Sequence, residues 1–443
     1  MASAQERRVA LASLIGGSVE YYEFFIYGLS ASLVFGREFF PTFSPAAGTL
    51  LSLSTFAIAF IARPVGGWLF GHYGDRIGRK TMLILTLAGM GGATTLVGLM
   101  PGYTTIGVWA PILLVVLRIV QGLSVAGESS GGFLLTFEHS ERGGRPGLFT
   151  GTVSTGNIWG LLLSNGVFAL VNLLPKGQFD AWGWRLPFLS SAVLVAIGLY
   201  VRSKLSESPG FQRIKDRGQV SRNPALDVLR QHPGNFIGII LVTIPQSVYF
   251  YIASVFALTY TTRTHVTAST ISLVVTIISA ALLFVMPLVG WIADRNGRPR
   301  TVFGIGLVIM AVTPFLWFPL FDSGNLALVF VGFALLLGGF AANYGTQGML
   351  YPPLFAPHLR YTATAISVAV GGVLGGAIAP LIAIWLLDSF GTWVPIAVYM
   401  TLTAVIALVA TAFLRVYVPP QAMPAPDTGR PDGSSTLITP EAS

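Results

Sequence analysis

The chain of 443 residues contains no cysteine. That excludes disulfides, thiol nucleophiles and cysteine-based metal sites. Charge is scarce too. Asp, Glu, Lys and Arg make up 10% of the residues, against about 25% in a soluble domain, so most of the surface is not built for water. None of the five histidines lies well inside a long apolar stretch, and none has metal-ligand spacing. Phosphate loops of Walker or dinucleotide spacing and nucleophile–base pairs are missing, so the sequence offers no enzyme chemistry and no cofactor or metal site. A cleaved leader is not expected either. Arg7 and Arg8 precede a full-length apolar span carrying Glu20 and Glu23, which reads as a retained first helix.

What the chain does have is apolar length. Hydrophobic residues make up 53%, and the mean hydropathy is +0.71. Twelve stretches reach the roughly 20 residues a membrane helix needs: 9–35, 46–70, 81–101, 106–132, 147–173, 185–203, 234–261, 268–292, 300–320, 326–350, 361–386 and 391–415. They are too long and too uniformly apolar for barrel strands. The expected class is therefore an all-α integral membrane protein with twelve transmembrane helices. Of the 26 Lys and Arg, 20 fall on one side of these spans, including Arg142, Arg217 and Arg430; four fall on the other, and Arg63 and Arg118 lie within spans. The excess of cations marks the cytoplasmic side. It places both termini there, in a bacterial plasma (inner) membrane. The net charge of +8 is thereby used for orientation, and no nucleic-acid partner is required.

One charged pattern occurs twice. Gly71-His-Tyr-Gly-Asp75-Arg76-Ile-Gly78-Arg79 is matched by Gly290-Trp-Ile-Ala-Asp294-Arg295-Asn-Gly297-Arg298, 219 positions later. A loop recurring at half the chain length between apolar spans signals two homologous bundles, the organisation of an alternating-access transporter. The division expected is a six-helix bundle over 1–203, a polar, basic linker over 204–233, a second bundle over 234–418 and a disordered tail over 419–443. Glycines four apart (Gly67/Gly71, Gly147/Gly151, Gly156/Gly160, Gly371/Gly375 and Gly372/Gly376) permit close helix approach. Both static packing and sliding interfaces agree with them.

The two loops resemble the signature loops of the major facilitator superfamily. More residues narrow the likeness: Glu20-Tyr21-Tyr22-Glu23 through Gly28, Arg63-Pro64-Val65-Gly66-Gly67, Arg118 through Gln121-Gly122 to Glu128, Trp184-Arg185-Leu186-Pro187-Phe188, Glu207-Ser208-Pro209, and Leu354 through Thr362. Together they resemble the metabolite–proton symporter family, the shikimate permease branch most of all over 31–80 and 106–128. The resemblance implies the major facilitator fold. It also implies cytoplasmic latches built from Asp75, Arg76, Arg79, Asp294, Arg295 and Arg298, with the Asp residues near helix N-termini, where negative charge is favoured. Arg63 is expected at the cavity mouth or latch, and Glu128 at the latch or in solvent. Gly156 is followed by Asn157 rather than by the proline of the drug-antiporter signature, which argues against a drug exporter.

Ionisable groups within spans usually face a cavity or one another. Here they are Glu20 and Glu23 in the first span, Arg63 in the second, and Arg118 and Glu128 in the fourth; the second half has none in its span interiors. Proton handling is therefore expected in the first half. Glu20, Glu23 and Tyr27 share a helical face. Glu23 is the expected proton carrier, with Glu20 in reserve and Arg118 as charge partner or carboxylate anchor. A static Glu–Arg pair holding two helices together is the alternative. Tyr22, Tyr27, Gln121, Asn157, Gln246, Tyr249, Asn343 and Gln347 are candidate substrate contacts. The expected function is import of a small organic acid, shikimate-like or another hydroxylated or dicarboxylate metabolite, with the proton as coupling ion, by a monomer. A betaine or proline symporter is the alternative, and a non-transporting membrane sensor a distant one.

Overall fold

The computed structural model describes residues 4–141, 143–216, 218, 221–264 and 266–418. The expected tail, and Arg142, Arg217 and Arg430 of the basic side, lie outside the described residues. Among the described residues every regular element is helical. Eleven helices are long and apolar enough to cross a membrane: α1 Ala4–Leu33, α2 Ala47–Ile77, α3 Arg79–Leu99, α4 Trp109–Ser140, α6 Gly183–Ser203, α7 Pro233–Arg263, α8 Ala268–Asn296, α9 Pro299–Asp322, α10 Leu326–Leu350, α11 Arg360–Phe390 and α12 Val394–Phe413. The twelfth span, α5, comes in two pieces, Pro146–Ser154 and Gly156–Val171. The break falls at Thr155, whose hydroxyl donates to the Thr152 carbonyl at 2.7 Å and so competes with the helix ladder. Gly156 follows, pressed against α1: a Cβ there would stand 3.1 Å from Gly17 backbone.

Helix ends follow local chemistry. Thr267 caps α8 by accepting from the Thr270 amide at 3.3 Å, and Asn325 caps α10 through the Ala327 amide at 2.9 Å, satisfying donors the first turn leaves free. Gly78 and Gly297 occupy the same position in the two repeated loops. Their φ values are +128° and +60°: the first is open to glycine alone and the second, left-handed, favours it, and they let α2 turn into α3 and α8 into α9 within a residue or two.

In the first half α1 packs on α5, α4 and α6, while α4 also packs on α2 and α3; in the second, α9 packs on α10 and α12, and α7 on α11 and α12. The chain is thus two six-helix bundles. They meet along α2 with α11 and along α5 with α8. Gly71 and Gly290, equivalent in the repeat, lie on these two seams. A Cβ on Gly71 would stand 2.7 Å from Thr362 Cα, and one on Gly290 would stand 2.1 Å from the Gly147 carbonyl oxygen. Gly156 and Gly160 instead face α1, and Gly371 and Gly375 face α7. The glycine pairs therefore divide between seams joining the halves and packing within one half.

The linker is tied down. It carries short helices at Pro209–Asp216 and Pro224–Gln231. Glu207 accepts from the Arg79 amide at 3.1 Å and the Lys80 amide at 3.2 Å, capping α3.

Candidate functional site

A cavity of about 120 Å³ lies between the halves, walled by side chains from both. One water centre takes about 10–15 Å³ on this measure. The space therefore suits a solute of on the order of ten non-hydrogen atoms.

Latches close one side. The Asp75 carboxylate accepts from the Thr362 amide and hydroxyl, each at 2.9 Å, at the start of α11. Asp294 accepts from the Gly147 and Leu148 amides at 2.7 and 2.8 Å, at the start of α5. Each Asp thus caps a helix of the opposite half. Arg79 is fully buried; it lies 3.3 Å from Asp75 and 3.6 Å from Glu138, and donates to the Pro357 carbonyl at 2.9 Å. Arg360 approaches Glu138 at 3.9 Å. Among the described residues Arg76 reaches only His72, one turn back, at 3.1 Å. Arg295 lies over Trp291 of its own helix, and Arg298 is exposed. The structure therefore gathers Asp75, Arg79 and Asp294 at the latch seams and leaves Arg76, Arg295 and Arg298 outside them. On the far side of the cavity the halves meet through rings: Phe24 and Phe60 against Tyr251, with centroids 6.4 and 5.9 Å apart.

Arg63 is in the cavity wall and not at the latch. It precedes Asp75 by twelve residues, or about 18 Å of helix, a depth that the sequence spacing already carried. Its guanidinium stacks on Phe60 and Phe24, 4.4 and 5.4 Å from the ring centroids, and its buried Nε has no hydrogen-bond partner. Glu20 lines the same cavity. Its two oxygens accept from the Ser129 hydroxyl at 2.6 Å, and among the described residues no ion pair joins it to Arg63. Asn157, Gln246 and Gln347 line the cavity as well, and the Asn157 Oδ1 is buried without a partner.

The other candidates lie elsewhere. Glu23 sits one turn above Glu20 and faces α3 and α6, where it accepts from Thr94 at 2.7 Å and Ser191 at 2.5 Å. Arg118 does not touch it. The Arg118 guanidinium donates to Gln121 at 2.8 Å, Gln121 donates to Thr94 at 2.6 Å, and Thr94 completes the chain to Glu23. Arg118 also lies 3.7 Å over the Tyr27 ring. It precedes Ser129 by eleven residues, about 16 Å along α4, which takes it out of the cavity wall. Tyr22, two residues from Glu20 and so on the opposite face, donates to the Pro187 carbonyl at 2.7 Å. Tyr27 bonds Thr55 at 2.5 Å. Tyr249 donates to the Met310 carbonyl inside the second half. Asn343 stands behind the wall, accepting from Gln246 at 2.5 Å. Glu128 is neither at the latch nor in solvent: it forms a buried ion pair with Arg202.

Sequence reasoning missed Ser129, Glu138, Arg360 and Tyr344, whose hydroxyl meets that of Tyr21 across the halves at 3.1 Å. Ser129 and Tyr344 carry no signal apart from position, because neutral hydroxyls occur throughout membrane helices.

Residues 9–231 match the family described as Sugar (and other) transporter, and residues 235–439 match the Major Facilitator Superfamily. The shikimate transporter of Escherichia coli K12 is 37% identical over 419 residues, 93% of this chain and 95% of that protein. The inner membrane metabolite transport protein YhjE of the same organism is 39% identical over 418 residues, 91% and 92% of the two chains. Its proline/betaine transporter is 31% identical over 422 residues, 92% and 83% of the two chains. Among solved structures, the proton:xylose symporter XylE bound to 6-bromo-6-deoxy-D-glucose superposes with a TM-score of 0.74 at 18% identity, covering 93% of this chain and 95% of that one. The chain belongs to the major facilitator superfamily, as a multi-pass membrane transporter and not an enzyme.

Proposed function

We propose that the chain imports a small hydroxylated carboxylate together with protons by alternating access, from a plasma membrane in which both termini face the cytoplasm. The observation that carries this reading is one cavity between the halves with Glu20 and Arg63, the latter on its Phe60 and Phe24 platform, both in its walls. The planar guanidinium suits a carboxylate, and the aromatic platform fixes its plane. Asn157, Gln246 and Gln347 supply donors and acceptors for hydroxyls, and Phe60, Phe250, Tyr251 and Phe340 supply apolar faces for a ring. The shikimate transporter relative supports a substrate of this kind.

Coupling follows from charge. Across so small a cavity, an ionised Glu20 would lie about 6 Å from a bound carboxylate. At an effective dielectric constant of about 20 the repulsion is about 3 kcal/mol, on the order of a hundredfold in affinity. Protonating Glu20 removes it, and by linkage the bound acid favours the proton equally. Sequence alone favours Glu23 with Arg118; position relative to the cavity transfers the carrier role to Glu20 and the anchor role to Arg63. One chain completes the cavity, in keeping with a working monomer.

A zwitterionic osmolyte is the second reading. Glu20 and Arg63 share a cavity with aromatic walls, which would also hold a quaternary ammonium, and a proline/betaine transporter is among the relatives. Reconstituted protein given an inward proton gradient and labelled shikimate separates the two. Inhibition by cyclic or hydroxylated acids such as protocatechuate, and not by betaine or proline, is the expected pattern. Uptake of betaine or proline with none of shikimate would replace the substrate assignment.

A further inference from the structure

A second cavity, of about 20 Å³, adjoins the first on its latch side. Glu20, Glu128, Ser13, Ser129, Gly132 and Asn157 are among its walls. Ser13 precedes Glu20 by seven residues on α1, about 10 Å closer to the cytoplasmic end. A space this size holds one water, and a buried water needs two to four polar partners. The walls supply them, and the Asn157 Oδ1, buried without a partner, is an acceptor still unfilled.

We propose that the proton leaves Glu20 toward the cytoplasm through a water in this chamber, with Glu128 as the receiving carboxylate. The inference rests on reading Glu20 as the carrier. In the step, the Glu20 carboxyl O–H bond breaks as the water takes its proton, and the water passes another of its own to a Glu128 oxygen. Glu20 ends as a carboxylate, Glu128 as a carboxylic acid, and the water is unchanged.

The surroundings of Glu128 accommodate both of its states. Arg202 pairs with it. The same guanidinium also donates to the Leu83 carbonyl at 2.6 Å, so it keeps a partner when Glu128 is neutral. The Thr86 hydroxyl lies 3.1 Å from Glu128 Oε2 and 3.3 Å from the Leu83 carbonyl, and can turn from one acceptor to the other. Besides Arg202, the charged and titratable groups nearest the Glu20 end are Arg63 and the phenols of Tyr21 and Tyr344. Proton and substrate would then leave by separate routes, the proton through the first half and the acid through the opened seam.

Gly132→Ala tests the route. Its Cβ would stand 3.6 Å from Ser13 Cβ, an ordinary contact, so the packing accepts the methyl while the methyl takes the water's place. In proteoliposomes with labelled shikimate (or the solute that the competition screen selects), gradient-driven uptake should fall about tenfold. Exchange of labelled for unlabelled solute at equal pH, which needs no proton release, should be unchanged. Gly132→Ser should recover part of the loss, because its hydroxyl can pass a proton where the water did. Gradient-driven uptake at the native rate in Gly132→Ala would overturn the route, as would parallel loss of exchange or equal loss in the Ala and Ser variants. Glu20→Gln is measured beside them. If it keeps gradient-driven uptake, the carrier reading fails; if it loses that uptake while Gly132→Ala does not, only the exit route fails.

Discussion

Arg63 and Arg118 are both arginines in apolar spans of the first half, and the structure separates them by their partners. Arg118 has Gln121 and the Tyr27 ring, away from the cavity; Arg63 stacks on Phe60 and Phe24 and stands in the cavity wall. Replacing a planar fork by a point charge should matter only where the fork binds solute. Arg63→Lys is expected to raise KM for the acid by about ten- to a hundredfold, the worth of a charge-assisted hydrogen bond, while Arg118→Lys leaves KM near the native value. Initial uptake rates against solute concentration check this, and a reversed order would return the anchor role to Arg118. Glu20, Glu23, Arg63, Arg118 and Glu128 were legible in the sequence as intramembrane charges, because ionisable residues stand out in apolar spans, but the buried Glu138 and Arg202 did not stand out. Which of the intramembrane charges shared a cavity was not legible. Glu20 and Glu23 lie three residues apart on one broad face of α1, yet one meets Ser129 and the other meets Ser191. A stripe of roughly 100° is wide enough to serve two environments, and only the neighbours decide.

At the scale of elements, the repeated loop was the strongest sequence signal, and its parts divide by task. Gly78 and Gly297 make the turns, Asp75 and Asp294 cap helices of the other half, and Gly71 and Gly290 let the seams close. Spacing could place the loops but not reveal that Arg79 is buried while Arg298, its repeat equivalent, is exposed. Nor did it foresee the break in α5 at Thr155, since hydroxyl residues such as Ser154 and Thr155 occur throughout membrane helices without breaking them. The seam glycines yield a prediction. Gly71→Val puts a branched side chain where even a Cβ would lie 2.7 Å from Thr362 Cα, so it should force α2 from α11 and open the latch side. The absence of native cysteine makes a single introduced thiol a clean reporter. Thr364→Cys, in the cavity wall, should react faster with an impermeant maleimide added from the cytoplasmic side when combined with Gly71→Val. An unchanged rate would mean that the α2–α11 seam does not gate the cavity.

For the whole molecule, the two halves are alike in outline and unlike in chemistry. The intramembrane charges of the cavity come from the first half; the second contributes amides, hydroxyls and rings. The proposed mechanism follows from that asymmetry, with the first half carrying charge and the second closing over it through paired latches. Its central claim is that Glu20 couples the proton to the solute. The direct measurement is uptake of labelled shikimate into proteoliposomes containing native protein or Glu20→Gln, each with and without an inward proton gradient, alongside exchange at equal pH. The account predicts that the gradient accelerates native uptake, that it has no effect on Glu20→Gln, and that exchange survives in both. Gradient-accelerated uptake by Glu20→Gln, with the same gain lost in Glu23→Gln, would contradict it and assign the proton to Glu23.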